Sequence, residues 1–141
     1  MSTTDRAAVG YEPRFDIDCE IGHQGELVVL STVEALKTGR AEVKTDVRCL
    51  QTGNLYIEYR CRRRDGWHDS GIADTETDVW AFVIGDLVLV VPTATLVEIA
   101  REAWRNPANR REETNGSHPT QGVVIAVNVL VDEMRRRGRD A

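Results

Sequence analysis

Apolar and polar residues alternate along residues 41–47 and again along residues 54–62, and this period of two constrains the fold most strongly. Alternation places successive side chains on opposite faces of an extended chain, so both segments predict β-strands with one apolar face. Between them, Thr52, Gly53 and Asn54 form a turn signal. We therefore expect the two strands to pair antiparallel, as a hairpin with a longer loop.

The first of these strands gathers acidic and basic side chains on one face. Glu42, Lys44 and Asp46 share that face, and the predicted hairpin adds Glu58 from the second strand. Carboxylates are the ligands that hard divalent cations prefer, and a lysine offsets charge that develops on a phosphate. Three acids close together repel one another unless a cation or a partner neutralises them, so this face is a candidate metal site. The alternative is the solvent-facing side of an ordinary half-buried strand.

Glu26 is a further acid that could extend this site. It lies in the first turn of a predicted helix, next to that helix's apolar stripe. A favourable interaction with the helix dipole explains a glutamate at this position, and an acid directed at the metal site is the alternative.

The length and composition of the chain indicate a single globular domain. With 141 residues, of which 41% are hydrophobic and 29% charged, the chain suits one core. We predict a flexible arm over residues 1–13 and one domain over residues 14–141. No apolar run is long enough to cross a bilayer, and no secretory signal is visible, so we expect a cytoplasmic protein. The three cysteines and three histidines lack metal-ligand spacing.

Arginines form clusters in a chain whose formal net charge is −5. The net charge argues against binding of nucleic acid over the whole surface, but a local cluster suits the phosphates of a restricted binding surface. Solvated helix ends and loops are the alternative explanation of such clusters. Trp67, in a predicted charged loop, either covers the edge of the core or offers a platform for a nucleobase. The candidate nucleic-acid-binding residues are Arg60, Arg62, Arg63, Arg64 and Trp67.

The rest of the chain predicts a mixture of helices and strands. Apolar residues at spacings of three predict a helix from about residue 22 to residue 37, closed by Gly39. Residues 79–84 and 87–91 predict a hairpin around Gly85 and Asp86. Thr95 and Glu98 predict a capping box, then a helix, a mobile loop over residues 106–121, a strand over residues 123–127 and a terminal helix. This order predicts an α/β fold whose central mixed, mostly antiparallel β-sheet is flanked by helices.

Taken in order, these segments resemble the PD-(D/E)XK nuclease superfamily, particularly its small phage-type members that are likened to Holliday-junction resolvases and restriction endonucleases. The resemblance spans about residues 15–96, and its most specific segments are Gly25-Glu26, Glu42-Val-Lys-Thr-Asp46, Thr52-Gly-Asn-Leu-Tyr-Ile-Glu-Tyr59, Ser70-Gly-Ile72 and Thr75-Glu-Thr-Asp-Val-Trp80. It implies a restriction-endonuclease-like sheet and an endonuclease, dependent on Mg²⁺ or Mn²⁺, that hydrolyses DNA phosphodiester bonds, with branched DNA as one substrate class. It also implies a bacterial or phage-infected host cell.

Many resolvase-like members act as dimers, so the resemblance extends to a homodimer. Within this sequence the terminal helix, with Val129, Leu130 and Met134, is the candidate interface.

The resemblance assigns the catalytic residues in two alternative registers. In the first, Glu42 and Lys44 form the Glu-x-Lys element, and the other acids come from Glu26, Asp46 or Glu58. In the second, Asp46 is the first acid and Glu58 begins the second element. This second element is Glu58-Tyr59-Arg60, with arginine in the place of lysine. Because arginine stays protonated and cannot act as a base, Lys44 would then serve from the neighbouring strand. Both registers nominate Glu42, Lys44, Asp46 and Glu58 as catalytic residues, and Glu26, Glu42, Asp46 and Glu58 as metal ligands.

The sequence departs from the usual family layout, because no Asp stands between Glu26 and Glu42. This departure motivates an alternative function. The chain would then be a non-catalytic nucleic-acid-binding or interaction protein that retains the nuclease fold.

Overall fold

A computed structural model describes the backbone of residues 13–114 and 116–139, and the side chains of residues 19–114 and 116–138. Helix α1 (Pro13–Lys37) is its first element, and the predicted arm lies outside the described residues apart from Pro13. The helix ends where predicted. Gly39 adopts a φ of 74°, and the Arg40 N–H donates to the Ala35 carbonyl at 2.9 Å, as in a Schellman motif. Its start was predicted too late, because a glycine such as Gly22 is tolerated inside a helix at modest cost.

A three-stranded mixed sheet follows helix α1. Strand β1 (Ala41–Thr45) pairs in parallel with β4 (Val79–Ile84), which pairs antiparallel with β5 (Leu87–Pro92). The predicted hairpin around Gly85 and Asp86 is confirmed, and Gly85 has the positive φ, 60°, that a tight turn requires.

A four-stranded antiparallel sheet contains the remaining strands. Its order is β3 (Gly66–Asp69), β2 (Asn54–Arg63), β7 (Thr120–Ala126) and β6 (Arg110–Glu113). The predicted hairpin between β1 and β2 is therefore wrong. Between them the chain forms a one-turn helix, α2 (Cys49–Thr52), whose end at Gly53 carries the chain into the second sheet. Alternation predicted both strands correctly, but it carries no information on which strand is the partner.

Two short strands were predicted as loops. Only two residues separate the end of β2 from the start of β3, so the charged loop around Trp67 is a tight hairpin. Strand β6 and a 3₁₀ turn (Pro107–Asn109) lie within residues 106–121, which the sequence predicted to be a loop. Strand β6 lies at the sheet's edge and consists of arginines and glutamates, so it lacks the apolar alternation by which a strand is recognised.

Two helices cover the core. Helix α3 (Thr93–Trp104) begins directly after Pro92, and its start makes no side-chain capping bond, so the predicted capping box at Thr95 does not form. Helix α4 (Val127–Arg139) begins one residue before the predicted cap, Asn128, and the Val127 N–H donates to the Gly53 carbonyl at 2.9 Å.

One hydrophobic core joins both sheets and both of these helices. Its largest fully buried side chains come from β2, β4, β5, β7, α3 and α4: Leu55, Ile57, Trp80, Phe82, Val91, Leu96, Val123 and Leu130. The predicted α/β class, with mixed and antiparallel pairing flanked by helices, is confirmed, although the strands form two sheets instead of one. None of the described helices is long and apolar enough to span a membrane.

Candidate functional site

Glu42 and Lys44 lie on the edge strand β1 and face the same side of the sheet as the core residues of β4. The cross-strand partners of Glu42 and Lys44 are Trp80 and Phe82. The Lys44 ammonium pairs with the Glu42 carboxylate at 2.7 Å and lies 5.7 Å from the centre of the Trp80 ring. Because of this ion pair, each charged side chain already has a favourable partner within its own strand. Both side chains are only partly exposed.

Asp46 follows the end of β1 and binds backbone. Its two carboxylate oxygens accept hydrogen bonds from the Cys49 N–H at 3.0 Å and from the Tyr56 N–H at 3.2 Å. The first bond holds the start of α2, and the second connects the end of β1 to β2, between the two sheets. A carboxylate that accepts two backbone N–H groups from different elements has a structural role, and this role accounts for the position of Asp46.

Glu58 and Glu26 lie on other elements. Glu58 is on β2, which does not pair with β1, and Glu26 is an exposed residue of α1. The predicted hairpin that would bring Glu58 beside the trio is therefore absent. Among residues 19–114 and 116–138, no group of three or more His, Cys, Asp or Glu side chains is placed to hold a metal ion. The predicted ligands Glu26, Glu42, Asp46 and Glu58 are therefore not gathered into one such group, and the requirement for Mg²⁺ or Mn²⁺ stays a prediction.

A cavity of about 480 Å³ nonetheless joins part of the predicted site to residues from the other sheet. Lys44 and Asp46 line it together with Arg48, Tyr56 and Glu113. One Arg48 nitrogen lies 2.9 Å from each oxygen of the Glu113 carboxylate, and the Tyr56 hydroxyl lies 2.9 Å from the Thr120 hydroxyl. Sequence reasoning missed Glu113, because β6 was predicted to be a loop.

Burial raises the pKa of Tyr56, and the nearby carboxylates Glu58, Glu113 and Glu112 raise it further, against the opposing effect of the hydrogen bond to Thr120. Burial likewise raises the pKa of the Cys49 thiol, with Asp46 as the second cause. Both groups are thus held in their neutral forms. The cavity therefore presents a neutral phenol together with two carboxylates, Asp46 and Glu113, and two basic side chains, Lys44 and Arg48.

A second group of candidate residues surrounds Trp104, at the end of α3. The Arg110 guanidinium lies 4.7 Å and the Arg60 guanidinium 5.7 Å from the centre of the Trp104 ring. Arg60 also lies 5.9 Å from the Trp67 ring, so it stands between two tryptophans from different elements. We call Arg60, Trp67, Trp104, Arg110 and Arg111 the arginine–tryptophan surface.

The arginines of this surface are held in place without being neutralised. The Arg110 Nε donates to the Trp104 carbonyl at 2.7 Å, and Arg111 donates to the Ala108 carbonyl at 2.8 Å. Among the described side chains, no carboxylate forms an ion pair with Arg60, Arg110 or Arg111. All three line one cavity of about 330 Å³, together with Trp104, Glu112 and Gln121. The three guanidinium groups thus carry their charge without a carboxylate in ion-pair range, although Glu112 lines the same cavity.

The structure brings together only part of the predicted nucleic-acid-binding set. Arg60 and Trp67 belong to the arginine–tryptophan surface, whereas Arg62, Arg63 and Arg64 are exposed at the end of β2 and in the turn that follows. Sequence reasoning missed the central Trp104 and the role of residues 110 and 111. A cluster of arginines over residues 101–111 was the available signal.

The Tyr59 ring packs against the Trp104 ring. The two ring centres are 5.0 Å apart, tilted by 43°. Burial raises the pKa of Tyr59, and Arg101 lowers it by a smaller amount. The aromatic pair thus connects the exposed arginines to the core, since Tyr59 and Trp104 both pack against it.

Comparison of the chain with protein-family models, with curated proteins and with solved structures found no match. The resemblance to PD-(D/E)XK nucleases therefore stays a prediction from motifs.

Proposed function

We propose that this protein binds nucleic acid, with DNA as the partner, through the arginine–tryptophan surface. The observation that carries the proposal is the placement of unpaired Arg60 and Arg110 guanidinium groups over the Trp104 ring. Such groups bind phosphates through planar donors, and their faces offer stacking surfaces for bases. The alternative is a solvated charged surface, and what favours binding over it is that three arginines share one cavity with an aromatic ring.

The chemistry favours single-stranded over double-stranded DNA. Guanidinium planes and indole rings stack on unpaired bases without regard to sequence, whereas stacked base pairs in a duplex hide these faces. The Arg111 and Arg110 side chains flank the cavity and would contact the backbone phosphates. The overall charge of −5 restricts the strand to this surface, because the rest of the molecule repels it.

The first experiment compares two variants that each lose two arginines. Arg60→Ala/Arg110→Ala removes the centre of the surface. Arg40→Ala/Arg135→Ala is its charge-matched control, because both control residues are exposed and paired with Asp78 and Asp132. Fluorescence anisotropy of a labelled single-stranded oligonucleotide should show an affinity loss of about 30-fold for the first variant and less than about threefold for the second.

The salt dependence of binding tests the same proposal independently. The logarithm of the binding constant should fall linearly with the logarithm of salt concentration, and more steeply for the unmodified protein than for Arg60→Ala/Arg110→Ala. Equal losses in both double variants would mean that net charge alone governs binding. Absence of binding to any single- or double-stranded DNA at low salt would refute the proposal.

Hydrolysis of DNA is the second candidate function. What favours it is that Lys44 and Asp46, the centre of the motif that resembles the nuclease superfamily, line one cavity. The test is incubation with linear, branched and single-stranded DNA in the presence of Mg²⁺, Mn²⁺ or a chelator. Cleavage that needs the metal and is lost in both Lys44→Ala and Glu58→Gln would support this candidate. Binding without cleavage would leave the non-catalytic alternative.

For either function we propose the cytoplasm of a bacterial or phage-infected cell as the location, because the substrate is found there.

A further inference from the structure

A cavity of about 450 Å³ adjoins the arginine–tryptophan surface. Helix α3, helix α4, strand β7 and the 3₁₀ turn before β6 line it, and we call it the helix–strand cavity. Arg111 lines both this cavity and the one that holds Trp104. A DNA strand bound at the arginine–tryptophan surface would therefore pass the opening of the helix–strand cavity.

The inner wall of the helix–strand cavity is apolar and consists largely of short side chains. The buried Ile99 and Ile125 contribute from α3 and β7, and Ala103, Ala108 and Ala126 leave width between them. Pockets for small ligands typically have volumes of ~300–1,000 Å³ and apolar walls with a few polar groups. The cavity is thus large enough for one nucleotide and too small for an oligonucleotide.

Two amide side chains in this cavity have hydrogen-bonding groups to spare. The Asn109 Nδ2 donates to the Ala103 carbonyl at 3.0 Å, whereas the Asn109 Oδ1 has no donor among the described residues. The Asn54 side-chain amide has no partner among the same residues. A polar ligand in the cavity can therefore complete these hydrogen bonds.

Strand β7 also presents backbone groups to the cavity. Strand β6 pairs with β7 only as far as Val123, so residues 124–126 pair with β2 alone. In an antiparallel pair, alternate residues point their N–H and C=O groups away from the partner strand. Because Ala108, Asn109 and Arg111 line the cavity from the β6 side, these backbone groups face it.

Glu102 places a carboxylate on the wall that α3 forms. Its side chain is 62% exposed, and its nearest contact with Arg137 is at 3.4 Å. Glu133 lines the cavity too, but it pairs closely with Arg136 on the same helix. Glu102 is therefore the carboxylate with more acceptor capacity left for a ligand.

We propose that the helix–strand cavity binds one guanine base of single-stranded DNA, whose phosphate lies at Arg111. Guanine presents two adjacent donors, N1–H and the N2 amino group, and these match the two oxygens of the Glu102 carboxylate. Adenine, cytosine and thymine each present an acceptor beside their donor, which the carboxylate would repel. The inference rests on the proposed function, because the arginine–tryptophan surface supplies the backbone contacts that bring the strand to the cavity.

Helix α4, predicted from sequence as a dimer interface, contributes to this cavity. Val129 lines the cavity and is 51% exposed. Leu130 is fully buried in the core, and Met134 packs against the core. Of the three residues named for an interface, Val129 is thus the one placed to contact a ligand.

The first measurement compares two labelled single-stranded oligonucleotides of equal length. One contains only thymine, and the other has a single guanine at its centre, which avoids the structures that runs of guanine form. Fluorescence anisotropy with the unmodified protein should show about tenfold tighter binding of the guanine oligonucleotide, as expected for one bidentate contact with a base.

Glu102→Gln tests the carboxylate, and Glu98→Gln is its matched control. Both carboxylates are more than 60% exposed and contact Arg137, but Glu98 does not line the cavity. A glutamine offers one oxygen in place of two, so Glu102→Gln should reduce the guanine preference to less than about twofold. Glu98→Gln should keep the preference of the unmodified protein. Because the preference is a ratio of two affinities of one variant, the change in net charge cancels.

A second pair of variants tests the space in the cavity. Ala108→Leu/Val129→Leu fills it from two sides, and Ala73→Leu/Val88→Leu makes the same changes at exposed residues outside it. The filled cavity should lose the guanine preference, while the affinity for the thymine oligonucleotide changes by less than about twofold. The control should keep both. Circular dichroism and urea unfolding establish that both variants fold, since all four substituted residues are exposed.

The outcomes separate the guanine site from the proposed function. Absence of binding of both oligonucleotides would refute the proposed function and the guanine site with it. Equal affinities for the two oligonucleotides would leave the proposed function intact and overturn the guanine site. A guanine preference that persists in both Glu102→Gln and Ala108→Leu/Val129→Leu would place base recognition elsewhere and would also overturn it.

Discussion

The arginines around Trp104 and the arginine at the end of α4 differ in what surrounds their charge. Arg137 lies near three carboxylates, with nitrogen to oxygen distances of 2.6 Å to Glu98, 3.4 Å to Glu102 and 3.6 Å to Glu133. Arg60 and Arg110 instead lie over an aromatic ring, with no described carboxylate in ion-pair range. Arg137 joins helix α4 to α3, whereas we propose that Arg60 and Arg110 bind a ligand.

This difference shows why a count of arginines does not identify a binding surface. A ring face attracts a guanidinium through its quadrupole but leaves the cationic charge uncompensated, whereas a carboxylate cancels it. The two regions look alike in the sequence, where both appear as runs rich in arginine. Substitutions should therefore separate them into a region that affects binding and one that affects stability.

The largest effect should come from Trp104→Ala, which removes the ring on which both arginines lie. The ring also contacts Tyr59 and packs against the core, so the free energy of unfolding should fall by about 3 kcal/mol. Loss of both cation–π contacts should weaken binding of single-stranded DNA by at least about tenfold. Urea unfolding and anisotropy measure the two effects. Trp104→Phe, which keeps a ring, should recover most of each, and equal losses in both variants would contradict the role of the ring.

A smaller effect, on stability alone, is expected for Arg137→Ala. The substitution leaves the carboxylates of Glu98 and Glu102 without their partner between α3 and α4. Because these carboxylates are more than 60% exposed, the loss in free energy of unfolding should be only about 1 kcal/mol. DNA affinity should stay unchanged. Arg135→Ala, at an exposed pair within α4, is the control and should cost less than about 0.5 kcal/mol. Weaker DNA binding by Arg137→Ala would remove the distinction between the two regions.

Local features of the fold were predictable from sequence, and long-range pairing was not. The hairpin around Gly85 and the helix end at Gly39 depend on neighbouring residues and were predicted correctly. The parallel partner of β1 is β4, which lies more than 30 residues later, and alternation in β1 cannot identify it. The wrong pairing with β2 then placed Glu58 beside Lys44.

The same distinction holds for the candidate site: contacts within one strand were predictable from sequence, and contacts between distant segments were not. Alternation correctly grouped Glu42 with Lys44, and the two form an ion pair. Asp46 was predicted as a metal ligand, but its carboxylate accepts two backbone N–H groups, a role that depends on where α2 and β2 begin. Trp104 and Arg110 come together only because β6 pairs with β7 beside the end of α3, and β6 has no apolar pattern that predicts a strand.

A modest effect on binding is expected for Arg111→Ala. Arg111 lines the cavity, and among the described residues it lies over no ring and donates only to backbone carbonyls. We expect a contact with one phosphate, so the affinity should fall about threefold and the slope of the salt dependence should decrease by about one. Anisotropy titrations at several salt concentrations measure the slope. An unchanged slope would place the phosphate path away from Arg111 and restrict the surface to Arg60 and Arg110.

The smallest effect concerns the ionisation of Tyr59, which supports the ring beneath the arginines. Burial raises the pKa of its phenol in the folded state above the value of about 10 expected in the unfolded chain. The neutral form is thus favoured by folding, and the resulting stability is fully present below pH 10 and is lost as the pH rises through the folded-state pKa. Tyr59→Phe should therefore flatten the decline in unfolding free energy at alkaline pH. Arg101→Ala should raise the Tyr59 pKa further, because Arg101 is the group that lowers it. Ultraviolet absorbance of the phenolate measures that shift, and a lower pKa in Arg101→Ala would contradict the arrangement of charge around Trp104.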